Sequence, residues 1–306
     1  MREIKKYTDV VRYGKNGTQD VLNKGDYISI TEKIDGANAS FIYDEDSDIG
    51  VTGYSRNNPI GLENTLRGYY DWIVRNIVPI KDKLNKNYRY YGEWLVAHKV
   101  VYKPDQYQNF YMFSIWDEEK GEYLTDDIVR SEATRLGLQT TTYFYEGEYI
   151  SFEHIMSFVG KSDRTVDQDT GEGVVVKNVN YKDRYGNQMF VKLVSERFAE
   201  VQKQKPPKNP NVVSEYKDII DAIVTKPRVE KLISKFVDEG LLDENYGIEN
   251  IGTILKHIGT RTFDDVKKEE SDLIKNIEEP ILIKNIQKSM PKLVKQILAE
   301  QGRFVA

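Results

Sequence analysis

Over its first two hundred residues the chain alternates short apolar runs with polar punctuation. YISITEKIDG (27–36), ASFIYDE (39–45), YRYYGEWLVAHKVVY (88–102), FYMFSIWDE (110–118), GEGVVVKNV (171–179) and QMFVKLV (188–194) are rich in Tyr, Val, Ile and Phe, and Gly, Asn and Asp bound them. Aromatic and β-branched residues between turn formers predict strands. Two stretches have a different period. LENTLRGYYDWIVRNIVPIKDKL (62–84) and DDIVRSEATRLGL (126–138) place apolar residues three to four apart, which predicts amphipathic helices. Strands and helices in this order predict an α+β domain built on antiparallel sheet.

The texture changes at KQKPPKNPN (203–211), where three prolines stand in a polar stretch. Such a stretch predicts a linker. Beyond it, SEYKDIIDAIV (214–224), PRVEKLISKFVDEG (227–240) and PILIKNIQKSMPKLVKQILAE (280–300) each carry an apolar stripe of helical period. Pro227 suits a helix start and Gly240 a helix end. The expected organisation is an α+β domain over 1–205, a linker over 206–212 and an all-helical domain over 213–306.

Composition narrows the chemistry. The 306 residues are 39% hydrophobic and 30% charged, as in soluble globular proteins. Forty-four Lys and Arg against forty-nine Asp and Glu leave a net charge of −5. That argues against coating nucleic acid by bulk charge but leaves room for a local basic groove. With no cysteine, disulfides, thiolate catalysis and cysteine-ligated zinc are excluded. The three histidines, His98, His154 and His257, are far apart in sequence, so a metal would be expected as a hard cation held by carboxylates and phosphate. The opening MREIKKYTDV has no apolar signal region, and no apolar run approaches the ~20 residues that span a bilayer. The expected address is the cytoplasm, away from membranes. Gly160-Lys161-Ser162 looks like the end of a P-loop, but Ile155 stands where its first glycine would be.

The most informative tetrapeptide is Lys33-Ile34-Asp35-Gly36. Alone, it reads as a polar turn with Gly36 supplying positive φ. Four elements follow it in order: Ser55-Arg56-Asn57, Tyr91-Gly92-Glu93-Trp94, Glu172-Gly173-Val174-Val175-Val176-Lys177 and Val191-Lys192-Leu193. Over about residues 30–200 this series resembles the motifs of the covalent nucleotidyltransferase superfamily, which includes DNA ligases, RNA ligases and mRNA capping enzymes. The resemblance implies an ATP-grasp-like ligase adenylation domain. In it, Lys33 would attack the α-phosphate of ATP and carry AMP as a phosphoramidate. A free lysine has a pKa near ~10.4, and neighbouring Lys177, Lys192, Arg56 or a metal would be expected to lower it.

The resemblance implies further roles. Glu32 would reach the adenine edge, Ile34 would line the nucleotide site, Asn38 would serve the phosphate or its metal, and Arg56 the phosphate. Glu93 would bond the ribose hydroxyls and Phe113 would stack on the purine. Glu172 would serve Mg²⁺, while Lys177 and Lys192 would close on the phosphates. One departure stands out: the last motif commonly reads K-x-K, and here Val194 replaces the second lysine.

The helical tail, with no convincing R-x-D-K motif, resembles the phage-type RNA ligase 2 family rather than DNA ligases or capping enzymes. Only thirty-two residues precede Lys33, so ATP is expected rather than NAD. The implied activity is ATP-dependent joining of RNA 3′-hydroxyl and 5′-phosphate ends by a monomer, at nicked duplexes, strand ends or RNA/DNA hybrids. The alternatives are a DNA ligase, a GTP-dependent capping enzyme or a non-catalytic end-binding protein. Nucleic-acid contact would be local. Residues 177–208 carry eight cations against three anions, and Lys284, Lys288, Lys292 and Lys295 recur at helical spacing.

Overall fold

The computed structural model describes every residue except 1, 16, 19, 184–185, 196–215 and 304–306. The chain divides into two compact units, 1–195 and 196–306. The linker expected at 206–212 lies outside the described residues.

The first unit is built from β1 (Val10–Arg12), β2 (Tyr27–Lys33), β3 (Ala37–Tyr43), β4 (Val51–Ser55), β5 (Tyr88–Trp94), β6 (Phe110–Asp117), β7 (Glu122–Tyr123), β8 (Gln139–Thr140), β9 (Tyr143–Glu148), β10 (Gly173–Lys177) and β11 (Phe190–Val194). Helices α1 (Tyr69–Asn76), α2 (Asp126–Leu136) and α3 (Phe152–Met156) complete it. One sheet has the order β1-β11-β10-β2-β9; the other runs β4-β3-β5-β6-β7, with β8 beside β6. Pairing is antiparallel except for β1 with β11 and β6 with β8.

Strand alternation gives each sheet two unlike faces. Behind the first sheet, Ile28, Ile30, Val174, Val176, Val191 and Leu193 are buried with Ile155 of α3. Behind the second, Ala39, Phe41, Tyr90, Trp94 and Met112 pack with Tyr69 and Trp72 of α1 and with Val129 and Ala133 of α2. The two inner faces meet through Tyr91 and Tyr123 of one sheet and Phe190 of the other, joined by Tyr7, Phe113 and Val175. The candidate chemistry lies on these inner faces.

Several elements differ from the sequence expectation. The helix expected over 62–84 is reduced to α1 and a 3-10 turn, Val78–Lys83. Leu66 (φ 48°) and Arg67 (φ 54°) are left-handed, so no helix runs through them, and Pro79 withholds an N–H donor from a continued α-helix. The strand expected over 88–102 stops at Trp94. Strands β1, β4, β7, β8 and β9 lie outside the expected set; they are short or interrupted by polar residues and glycine.

The second unit holds α4 (Lys217–Ile223), α5 (Lys226–Asp238), α6 (Ile251–Glu269), α7 (Ser271–Ile274) and α8 (Glu279–Glu300). Its core is a helical-period set: Val229, Leu232 and Phe236 from α5, Ile254, Ile258 and Val266 from α6, and Ile286, Met290, Val294 and Ile297 from α8. Helix α6 was not among the expected helices. Its glycines and threonines are poor helix formers, and burial of its apolar stripe overrides them. The fully buried Arg228 of α5 donates to Glu270 Oε1 at 2.7 Å and lies 3.4 Å from Asp265 Oδ2.

Removing one partner of a buried ion pair strands the other charge in a low dielectric. Arg228→Ala should therefore cost about 3–5 kcal/mol in urea denaturation followed by circular dichroism. Arg228→Met combined with Glu270→Leu should cost less than Arg228→Ala alone; an equal or greater loss would contradict the role given to the stranded carboxylate.

Candidate active site

Lys33 ends β2, on the inner face of the first sheet. Its Nζ donates to Glu172 Oε2 at 2.6 Å. Glu172 directly precedes β10, whose Gly173 stands opposite both Lys33 of β2 and Val194 of β11. A side chain at 173 would collide with the Leu193 carbonyl. This glycine therefore lets three strands close together and brings Glu172 to the lysine.

The turn after Lys33 is pinned from the second sheet. Gly36 N–H donates to Glu93 Oε1 at 3.1 Å. Gly36 is not in the left-handed region, contrary to the turn reading of the tetrapeptide. A Cβ there would lie 2.6 Å from the Trp94 carbonyl oxygen, so close approach is what demands glycine. Asp35 accepts the N–H groups of Lys99 and Val100 at 2.9 Å each, and His98 Nδ1 lies 3.5 Å from it. Asn38 of β3 stands directly opposite Glu93 of β5.

The electrostatics reverse one expectation. Burial disfavours the Lys33 ammonium, but Glu172, Glu93 and Asp35 outweigh it and hold the amine above the ordinary lysine range. Cations had been expected to lower it. Strand alternation and the β2–β10 register surround it with carboxylates instead. Burial, then the charge of Glu172, pushes the Glu93 carboxyl up to about 8 against the opposing pull of Lys33. Glu172 is likewise raised, by burial and Asp35, with Lys33 and Lys192 opposing. For Asp35 burial works upward, but His98 and the Val100 amide lower its pKa to about 2. Lys33 and Glu172 thus favour each other's charged forms, against the burial that opposes both.

The other residues named from the sequence divide. Lys192 stands opposite Val175, within electrostatic reach of Glu172. Phe113 is half-buried beside Tyr7, with ring centroids 4.9 Å apart. Ile34 is buried next to Lys33. Lys177 is not brought to Lys33. It lies opposite Ser29, four residues further along β10 than Gly173, or about 13 Å at ~3.3 Å per residue. Its Nζ donates to Asp126 Oδ1 at 2.9 Å and to the Phe113 carbonyl. Arg56 is paired with Asp9 at 3.0 Å on an exposed surface. The Glu32 carboxylate turns away from Lys33, since neighbours on a strand point to opposite faces, and it binds Ser162, Thr142 and Arg164.

Sequence reasoning missed His98, Asp126 and Arg164 as partners of motif residues, and Arg12, which lies beside Lys192 in the β1–β11 pairing. No local pattern marks them. Of the basic run over 177–208, Arg184, Arg197, Lys203, Lys205 and Lys208 lie outside the described residues. Among the described residues no group of three or more His, Cys, Asp or Glu could hold a metal ion, and no helix is long and apolar enough to cross a membrane.

A family model described as RNA ligase matches residues 26–194. No curated protein matches the chain. Among solved structures, the Naegleria gruberi RNA ligase with PPi is 23% identical with a TM-score of 0.48, the match covering 64% of this chain and 57% of that one. An apo aspartate mutant of the Naegleria gruberi enzyme is 22% identical with a TM-score of 0.50, covering 64% and 56% respectively. A lysine mutant with AMP and Mn is 21% identical with a TM-score of 0.47, covering 64% and 57%. The chain thus matches less than three fifths of the length of these proteins, and the likeness at a TM-score of 0.50 is one of fold.

The Asp35 environment gives a pH dependence with a definite sign. Its folded pKa of about 2 lies below the unfolded ~3.9. The stabilisation, roughly 2.5 kcal/mol, is complete above about pH 4 and is lost as pH falls through 2. The stability gap between wild type and Asp35→Asn in urea titrations should accordingly shrink from pH 5 down to pH 2. A gap that stays constant over that interval would refute the assignment.

Proposed function

The chain belongs to the RNA ligase family, and on that premise we propose that it is an ATP-dependent RNA ligase whose AMP carrier is Lys33. The observation that carries this reading is the Lys33–Glu172 contact between neighbouring strands β2 and β10 of the first sheet, inside the matched region. Lys33 Nζ must lose a proton before it attacks the α-phosphate. Glu172, 2.6 Å away, is the acceptor already in hydrogen-bond contact. The nitrogen–phosphorus bond forms as the bond from the α-phosphorus to pyrophosphate breaks, leaving AMP on Lys33. AMP then passes to a 5′-phosphate, and attack by a 3′-hydroxyl seals the strand and releases AMP.

Lys192, close to Glu172 and on the same inner face as Lys33, is suited to the phosphate oxygens. Glu93, bonded to Gly36 and opposite Asn38, is suited to the ribose. Phe113 offers a half-buried ring to the purine. Glu172 is a hard oxygen ligand suited to Mg²⁺. The lack of a three-residue cluster among the described residues is compatible with an ion that keeps its waters and takes its other ligands from substrate phosphates. When bound, Mg²⁺ supplies charge neutralisation at those phosphates. Lys177 and Arg56, held by Asp126 and Asp9, have no part in this reading of the amine-transfer step.

The RNA backbone would be met in part by α8. Lys284, Lys288, Lys292 and Lys295 are all exposed. At ~3.6 residues per turn they share an arc of about 80°, opposite the face that carries Ile286, Val294 and Ile297. Among the described residues they have no ion-pair partner, whereas Lys226, Arg228, Arg261 and Lys267 of the same unit are paired.

Incubation with α-labelled ATP and Mg²⁺ should label the protein covalently, and Lys33→Ala should take no label. An unlabelled wild type, or a labelled Lys33→Ala, would refute the reading. Replacing the four α8 lysines by Gln should leave labelling intact. It should also reduce the slope of log K against log salt for nicked RNA by roughly 3, at ~0.7–0.9 per phosphate contact. An unchanged slope would remove α8 from the interface.

A further inference from the structure

Glu32, immediately before Lys33, has 2% of its surface exposed, yet it gathers three donors. Ser162 Oγ donates to its Oε1 at 2.5 Å, and Thr142 Oγ1 and Arg164 Nη1 donate to its Oε2 at 2.7 and 2.6 Å. The Arg164 guanidinium also donates to the Thr142 hydroxyl, and through Nη2 to the Thr140 carbonyl at 3.0 Å. It lies 4.7 Å from the centroid of the Tyr111 ring. Glu32 belongs to the first sheet, whereas Thr140 in β8 and Tyr111 in β6 belong to the second. One guanidinium thus joins both sheets beside the nucleophile strand.

Arg164 also sits in the segment that leads to Glu172. Its N–H donates to Ser162 Oγ at 3.2 Å, and its carbonyl accepts the Lys103 N–H at 2.8 Å. Gly171 N–H donates to the Gly160 carbonyl at 2.8 Å, closing the segment one residue before Glu172. The loop holding Asp35, through Lys99 and Val100, is the one that reaches Arg164 through Lys103. A buried ion pair is a poor source of net stability, because both charges lose their water. A fork of fixed donors is instead well suited to holding three chain segments in one geometry.

We propose that the Glu32–Arg164 pair is a positioning device, which sets where the Lys33 amine stands relative to Glu172 and the second sheet. The inference rests on the reading of Lys33 as the AMP acceptor. Misplacing a reacting atom by about 1 Å can cost on the order of 100-fold in rate. The loss falls on the chemical step, because Arg164 contacts none of Glu93, Phe113, Lys192 and Glu172, the groups given to ATP and its metal in the proposed function.

Single-turnover labelling with α-labelled ATP and Mg²⁺ tests this. Arg164→Ala should form the lysyl adenylate roughly 10- to 100-fold more slowly, with little change in the ATP concentration giving half-maximal rate. Millimolar guanidinium should restore part of the rate to Arg164→Ala and none to Lys33→Ala. A wild-type rate, a loss confined to ATP binding, or a slow rate that guanidinium leaves untouched would each overturn the proposal. If Arg164→Ala does not fold, Arg164→Lys, which keeps the charge and loses the fork of donors, should show the same slow step at unchanged ATP dependence, and a wild-type rate there would overturn it. An unlabelled wild type overturns the role of Lys33 and this inference together. A labelled wild type with an unaffected Arg164→Ala overturns this inference alone.

Discussion

An ammonium held among carboxylates is the constraint around which the first unit is arranged. Lys33 contacts Glu172 directly and feels Glu93 and Asp35. Each of those carboxylates sits in a place that would be costly for a charge alone. Burial drives Glu93 and Glu172 toward their neutral forms, and the lysine opposes that drive. The titrations of these four groups are therefore linked to one another. The pairing also creates a chemical tension: the groups that keep the amine in place keep it protonated, and a nucleophilic amine must be neutral. Added positive charge near the amine, from a cation bound with the nucleotide, would relieve it.

The architecture explains why such charges can be buried. Each sheet has its own apolar back core, so the layer between the sheets is not needed for hydrophobic stabilisation throughout. Part of it is aromatic, around Tyr7, Tyr91 and Phe190. The rest holds ionisable groups in pairs: Lys33 with Glu172, Lys177 with Asp126, and Asp35 with His98. Arg164 and Glu32 repeat the arrangement beside the nucleophile strand. Pairing is the condition on which charge survives away from water. Among the described residues, the interior of the helical unit is mostly apolar, with Thr225, Thr262 and the Arg228–Glu270 pair as its buried polar groups, and α8 presents its lysines to solvent.

Much of the fold was legible in the sequence because the strands of the two sheets announce themselves locally. Aromatic and β-branched runs between turn formers marked YISITEK and FVKLV as strands. The ordered motifs carried the family. The short strands β1, β7 and β8 and the helix α6 were not legible. Tertiary pairing and burial, rather than intrinsic propensity, maintain them.

The sequence by itself determined the alternation of faces within each strand and the order of the motifs, since these depend on neighbours a few residues apart. Only the tertiary structure decided which charges meet. Lys33 and Glu172 are separated by 139 residues, Glu32 and Arg164 by 132, and Lys177 and Asp126 by 51. Strand order and register bring them together, and no local pattern encodes either. That is why Lys177 and Glu32, read from motif position as nucleotide ligands, stand in ion pairs of their own, and why Lys33 is ringed by acid rather than by base.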